Sequence, residues 1–185
     1  VFELHDAAEN RHSFLSIVDN GTTFHIIVHV RDGGGTPSSR KCWDKFMKAW
    51  VSWAGMPKIV TIDRGAHNRG VFARSLTQAG VYLRQAGLES PEQIGRGERH
   101  GGIIKSAMKR TIHQHNIIGK RDMKLVGFEA QCEKNDFVRK GGFSPSQWVL
   151  GKLPRGLGRY LDEDEIGHLG ILEGQTDPGT EFALR

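Results

Sequence analysis

Residues 13–30 read SFLSIVDNGTTFHIIVHV and form the most informative stretch of the chain. Both halves of this stretch are rich in the β-branched and aromatic residues that strands favour. Between the halves stands Asn20-Gly21, a strong short signal for a hairpin turn. The stretch therefore predicts two antiparallel strands, to which the preceding segment VFEL, residues 1–4, adds a third.

A helix is predicted for Ser39 to Ala54, because large apolar side chains recur there at helical spacing. These side chains belong to Trp43, Phe46, Met47, Trp50 and Val51. A stripe of this kind can stack on bases, but at helical spacing we expect it to pack in the core. Residues 58–63, KIVTID, then predict a short apolar strand of the buried parallel kind.

The rest of the pattern adds helices and one further strand. It predicts a short helix over 71–80, a strand over 81–85, a Gly- and Pro-punctuated loop over 86–97, and helices over 98–116 and 123–139. This order is typical of an α/β fold with a mixed central sheet. We expect one half of that sheet to be an antiparallel hairpin and helices to cover both faces.

The chain of 185 residues is basic, with a net charge of +5 and a pI near 9.4. Between Ile94 and Lys124, eight cations face only two acids, which is typical of a phosphate-contacting surface and also of a solvated helix face. No apolar run is long enough to span a membrane. Cys42 and Cys132 are isolated and form neither a zinc motif nor a disulfide framework, so we expect a reduced compartment.

Two acidic residues stand where metal-dependent phosphate chemistry would use them. Asp63 closes the strand KIVTID at its C-terminal end, where catalytic groups gather in open α/β sheets. Glu98 opens the long helix, and Lys105 and Lys109 return to within about 20° of its direction. One helix face thus carries a carboxylate followed by two cations, as expected of a helix that lies along a DNA backbone.

Each of these residues also has a plainer interpretation. An Asp before Arg-Gly, such as Asp63, often serves only as a turn or cap residue. A Glu in the first helical turn often interacts only with the helix dipole. The nine histidines are interpreted as surface or core residues, since His113 and His115 do not share a helix face. His25 and His29 share a strand face but stand too far apart for an easy ligand pair.

Four segments, in this order, resemble the catalytic cores of retroviral and LTR-retrotransposon integrases. FLSIVDNGTTFHI resembles the family's second strand and hairpin, and WAGMPKIVTIDRGAHNRGVF resembles the segment with its second catalytic Asp. PEQIGRGERHGGIIKSAMKR resembles the segment with its catalytic Glu, and GGFSPSQWVLGKLPR the stretch after the core in retrotransposon polyproteins. Thirty-four residues separate Asp63 from Glu98, close to the family's usual interval.

The resemblance implies a ribonuclease H-like fold and a carboxylate site for two Mg²⁺ or Mn²⁺ ions. It also implies 3′-end processing of element DNA followed by strand transfer. Asp63 and Glu98 match the family's metal ligands, and Lys105 matches a position that contacts element-end DNA. The candidate DNA-binding residues are Lys105, Lys109, Arg99 and Gln93, of which Gln93 stands one place further from the Glu than the family's Gln or Asn.

The family's first catalytic Asp commonly stands just ahead of a segment like VFEL. That position would precede Val1, so we expect an N-terminally truncated core over 1–155, followed by an acidic, Gly-rich linker over 156–185. Asp6 is the other candidate for this third carboxylate, although it follows His5 and opens a polar turn.

The sequence therefore predicts an integrase core from a retrotransposon polyprotein. Its partners would be element-end and target DNA and further copies of itself, inside the cell and in the nucleus when it acts. One alternative is a non-catalytic nucleic-acid-binding module on the same fold. Another is a DDE transposase or ribonuclease H-type nuclease, which shares the metals and the fold but not the substrate.

Overall fold

Three strands, β1 (Phe2–His5), β2 (Arg11–Val18) and β3 (His25–Asp32), form an antiparallel sheet in the order β1-β2-β3. Phe2 lies opposite Phe14 and Leu4 opposite His12. The predicted hairpin and third strand are therefore confirmed.

The computed structural model describes residues 1–33, 35–63, 65–85, 91–139 and 141–151. The tail expected over 156–185 lies outside these residues. The chain divides into a first unit of Val1–Val18 and Ile26–Gln131 and a second unit of Asp19–His25 and the residues from Cys132 onward.

A parallel pair of strands, β4 (Ile59–Ile62) and β5 (Tyr82–Gln85), forms a separate hydrogen-bonded sheet within the described residues. The helix α3 (Val71–Gln78) connects them, as the predicted order requires. The expected mixed sheet is thus divided here into an antiparallel part and a parallel part. The two parts share a core, because Leu15 and Ile62 bury their side chains in one apolar cluster.

The predicted helix over residues 39–54 is confirmed in full. It begins as α1 (Ser39–Phe46), continues as a π-helical segment (Met47–Val51) and ends as α2 (Ser52–Ala54). The Ser38 side chain accepts the Lys41 amide and so caps its start. Most of the aromatic stripe packs in the core as expected: Phe46 is buried, and Trp43, Trp50 and Val51 pack against the same cluster.

Helices cover both faces of the three-stranded sheet. Residues alternate between the faces along each strand, so Leu15 and Val30 pack with α1 and α3 on one side. On the other side, residues of β1, β2 and β3 pack against two long helices, α4 (Pro91–His115) and α5 (Lys120–Phe137). This core consists of Phe2, Leu4, Phe14, Ile27, Ile104, Met108, Ile112, Met123, Val126 and Ala130. The predicted layering is confirmed.

The start of α4 differs from the expectation. The loop predicted over 86–97 is wrong for residues 91–97, whose backbone is already helical. Proline suits the first turn of a helix, so Pro91 begins α4 without losing a hydrogen bond. The glycines at 95 and 97 cost the helix about 1 kcal/mol each relative to alanine. Burial of Ile104 and Met108 further along α4 offsets that cost.

In the second unit, Asn135 bonds the backbone of His25 through both its amide oxygen and its amide nitrogen. Lys134 donates to the Thr23 carbonyl at 2.7 Å, and burial lowers the pKa of this lysine to about 8. The short helix α6 (Pro145–Leu150) begins with a capping box between Ser144 and Gln147. No helix of the described residues is long and apolar enough to cross a membrane.

Candidate active site

Asp63 directly follows β4, and its side chain stabilises the turn that comes next. Its Oδ1 accepts hydrogen bonds at 2.7 Å from the Gly65 amide and from Asn68 Nδ2. Gly65 is needed at this place, because a Cβ there would lie 2.7 Å from Asp63 Oδ1 and 2.3 Å from the His67 ring. The Asp63 side chain is still 59% exposed, and no hydrogen bond within the described residues occupies its Oδ2. One oxygen therefore builds the turn, and the other is available to a ligand.

The start of β1 lies beside this turn. The amino group of Val1 is 3.3 Å from His67 Nε2, which in turn is 3.8 Å from Asp63 Oδ1. Burial lowers the pKa of His67, and the Asp63 carboxylate opposes that shift. The start of β1 therefore lies beside the Asp63 turn.

Helix α4 brings its cationic face to the same end of β1. Lys105 Nζ lies 5.2 Å from the centre of the Phe2 ring. Glu98 is exposed on α4 and precedes Lys105 by seven residues, which is about 10 Å along the helix axis. Because α4 begins at Pro91, Glu98 lies in the interior of the helix and not in its first turn, where the sequence had predicted it.

The chemistry of these carboxylates fits Mg²⁺ or Mn²⁺, because both ions prefer oxygen ligands. Asp63 and Glu98 are exposed, so neither needs to break a buried ion pair to bind a cation. Within the described ranges, however, the two do not belong to a group of three close ligand atoms. The third carboxylate that the family resemblance implies is not found beside them within these ranges.

Asp6 lies at the other end of β1, roughly 16 Å from Val1 at the rise of an extended strand. Its carboxylate is buried and accepts the amides of Ala8, Asn10 and Gly119, each at 2.9 Å. Burial alone would raise the pKa of Asp6, but the bonds from the Gly119 and Asn10 amides and from the Asn10 and His12 side chains hold it well below its usual range. The structure does not bring Asp6 together with Asp63, and its bonds are those of a structural residue.

The candidate DNA-binding residues on α4 are largely accessible. Lys105, Lys109 and Arg99 are all exposed. Gln93 lies in the helical backbone of α4, but its side chain is outside the described residues. The exposed cations give α4 the charge that a phosphate backbone attracts.

The structure contains a second cluster of polar side chains, which the sequence did not predict. His12, His29 and Asp32 meet at the end of the three-stranded sheet that also holds Asp6. Burial lowers the pKa of His29 to about 4, and the nearby Asp32 carboxylate only partly opposes this shift. The alternation of residues along β2 and β3 could have indicated this cluster. It places His12 and Phe14 on one face of the sheet, and His29 and Ile27 on that same face.

Solved structures of retroviral integrases match most of the chain. The catalytic core domain of HTLV-2 integrase in complex with magnesium, in a trimeric form, is 17% identical over 80% of this chain and 90% of that chain, with a TM-score of 0.62. The catalytic core domain of BIV integrase is 12% identical over 86% of this chain and 95% of that chain, with a TM-score of 0.58.

A third match is a chain of the simian T-cell lymphotropic virus intasome in complex with the PP2A regulatory subunit B56 gamma. It is 15% identical over 83% of this chain and 52% of that chain, with a TM-score of 0.64. No protein-family profile and no curated protein matches the sequence. The matches show that the chain has the ribonuclease H-like fold of integrase catalytic cores, which confirms the predicted fold.

Proposed function

We propose that this chain is the catalytic core of a retroelement integrase, which processes the 3′ ends of element DNA and joins them to target DNA. The observation that carries the proposal is the position of Asp63, which has one carboxylate oxygen available at the end of β4, next to the start of β1. Catalytic groups gather at the carboxyl ends of parallel strands, and β4 is such a strand.

Each residue has a distinct task in this proposal. Asp63 and Glu98 would hold two Mg²⁺ or Mn²⁺ ions, which when bound activate the attacking oxygen and stabilise the leaving 3′ oxygen. The Gly65 and Asn68 hydrogen bonds fix one Asp63 oxygen and so orient the other. Lys105 and its neighbours on α4 would bind the DNA backbone and hold the phosphate at the carboxylates.

The third carboxylate would stand on a residue joined to the Val1 amino group. The Val1 nitrogen is 3.3 Å from His67 Nε2, which is 3.8 Å from Asp63 Oδ1. A carboxylate there would lie on the same side of the site as Asp63. Asp6 is too far along β1 for this role and is fully engaged in hydrogen bonds.

Replacing Lys105 and Lys109 should weaken DNA binding mainly through the lost phosphate contacts. For each contact removed by Lys105→Gln or Lys109→Gln, the slope of log K against log[salt] should fall by about 0.9. Fluorescence anisotropy of labelled duplex DNA over a range of salt concentrations measures this slope. Lys48→Gln, at an exposed lysine of the π-helical segment, is the matched control and should leave the slope unchanged. If all three variants and the wild type gave the same slope, Lys105 and Lys109 would not contact the DNA.

A non-catalytic nucleic-acid-binding module is the second candidate. It is favoured by one observation: the described residues hold no group of three close ligand atoms that includes Asp63. The two functions differ in their response to Asp63→Asn. An enzyme would lose metal-dependent nicking and keep DNA binding, whereas a binding module has no nicking activity to lose.

We also propose that the chain forms a homo-oligomer through α5. Leu125 and Phe128 are 55% and 56% exposed there, which is unusual for large apolar side chains one helical turn apart. HTLV-2 integrase catalytic cores with this fold have been solved in dimeric and trimeric forms.

Phe128→Glu should weaken self-association, since a buried charge would replace an apolar contact. We expect the dissociation constant to rise about tenfold or more, as is usual for a central aromatic residue of an interface. Sedimentation velocity over a concentration series measures it. Trp53→Glu changes an exposed aromatic residue on α2 and serves as the control. If the Phe128→Glu variant associates as tightly as the wild type, α5 does not form the interface.

A further inference from the structure

His12, His29 and Asp32 present three ligand atoms to one point. His12 Nδ1 lies 3.3 Å from both His29 Nε2 and Asp32 Oδ1, and His29 Nε2 lies 3.0 Å from Asp32 Oδ1. We propose that this triangle is a Zn²⁺ site. It is distinct from the proposed strand-transfer centre, because it lies at the opposite end of β1 from Val1 and shares no residue with it.

The size of the triangle fits a four-coordinate ion. Ligand atoms about 2.0–2.1 Å from a tetrahedral Zn²⁺ are about 3.3 Å from one another. Two imidazoles and one carboxylate favour Zn²⁺ over Mg²⁺, which prefers oxygen alone. His12 and His29 are buried, whereas the Asp32 side chain is 43% exposed. The exposed side gives the ion a route from solvent and leaves the fourth position to water.

Neighbouring residues already orient the ligands. Asp6 Oδ2 lies 3.3 Å from His12 Nε2 and so holds the ring with Nδ1 facing the other two ligand atoms. Lys120 Nζ lies 2.7 Å from Asp32 Oδ2 and leaves Asp32 Oδ1 to the ion. The edge of the Phe14 ring packs against His29 with 5.2 Å between the ring centres. Ligating histidines and carboxylates are commonly supported in this way.

A single cation can contact all three ligand atoms, because every pair of them lies within 3.3 Å. A divalent ion accepts a lone pair from each imidazole nitrogen and from the carboxylate oxygen.

The ion would join parts of the chain that are far apart in sequence. The ligands belong to β2 and β3, while Asp6 binds the Gly119 amide in the α4–α5 connection at 2.9 Å. The amide of Ala7 also bonds the Ile117 carbonyl in that connection at 2.8 Å. Bound Zn²⁺ would therefore fix the end of the antiparallel sheet and, through Asp6, the turn between the two long helices.

The experiment titrates the metal-free whole chain with Zn²⁺ against a chromophoric chelator, with Co²⁺ absorption as a probe of coordination. We expect one Zn²⁺ per chain, a higher unfolding temperature with Zn²⁺, and tetrahedral Co²⁺ bands. Asp32→Asn keeps the shape of a partly exposed side chain and should weaken Zn²⁺ binding about 100-fold or more, as should His29→Gln. Asp6 is not a ligand but bonds His12 and the backbone beside the site, so Asp6→Asn should weaken Zn²⁺ binding by about 10- to 100-fold.

Two controls make the result specific. His113→Gln removes an exposed histidine of α4, and Asp63→Asn removes a carboxylate of the proposed strand-transfer centre. Both should bind Zn²⁺ like the wild type. The proposal is overturned if the wild-type chain binds no Zn²⁺, or if Asp32→Asn and His29→Gln fold and bind it as well as the wild type does. Loss of Zn²⁺ binding in Asp63→Asn instead would also overturn it, since the ion would then sit at the other site.

Discussion

Asp63→Asn should abolish Mg²⁺-dependent nicking and joining of DNA ends while leaving the protein folded and able to bind DNA. The Asn side chain keeps the oxygen that accepts from Gly65 and Asn68, so the turn persists. What it loses is the negative charge that holds the ions. Because such ions stabilise the transition state by several kcal/mol, we expect the rate to fall on the order of 10³-fold or more.

The measurement uses the chain with an aspartate joined to Val1, so that all three proposed carboxylates are present. The same chain with asparagine in that place is the matched control and should be as inactive as Asp63→Asn. Glu98→Gln should behave in the same way, because Glu98 is exposed and its substitution breaks no described contact. Activity that survives Asp63→Asn or Glu98→Gln would exclude these residues as metal ligands.

Asp6→Ala should have the largest effect on stability among the acidic residues considered. The change leaves the amides of Ala8, Asn10 and Gly119 without their acceptor and deprives His12 of its carboxylate partner. Removing one partner from a buried charged network costs about 3–5 kcal/mol. Urea denaturation followed by circular dichroism measures the loss in the free energy of unfolding.

Asp44→Ala, at an exposed aspartate of α1, is the control and should change the free energy of unfolding by no more than about 0.5 kcal/mol. Asp6→Asn should fall between Asp6→Ala and the wild type, since one oxygen still accepts while the new amide faces other donors. If Asp6→Ala were as stable as the wild type but lost metal-dependent nicking, Asp6 would be the third catalytic carboxylate and its structural role would be wrong.

Local patterns predicted much of this fold. The hairpin followed from the apolar, β-branched runs of residues 13–30. Its turn differs from a two-residue Asn-Gly turn: six residues, 19–24, connect the strands, Asp19 accepts from Thr22, and Thr23 has the positive φ. The helix over 39–54 followed from its apolar period, which three-dimensional packing reinforces. The start of α4 did not follow, because glycines weaken a helix locally while its stability here comes from distant contacts of Ile104 and Met108.

The sequence predicted only those parts of the candidate site that lie within a single strand or helix. Asp63 could be placed at a strand end, and Glu98 and Lys105 on one helix face, from spacing alone. The His12–His29–Asp32 cluster could not be placed in this way. His12 and His29 stand seventeen residues apart on different strands, and only the register of the folded sheet brings their rings together.

The proposal that Asp63 and Glu98 share metal ions is tested most directly by Mn²⁺ anomalous diffraction from crystals of the aspartate-extended chain. Ions about 4 Å apart with ligand bonds of about 2 Å require the two carboxylates to lie within about 8 Å of each other. We predict anomalous peaks between Asp63 and Glu98, each within bonding distance of at least one of these carboxylates. Carboxylates that stay much further apart than this, with Mn²⁺ bound to neither, would contradict the proposed active site.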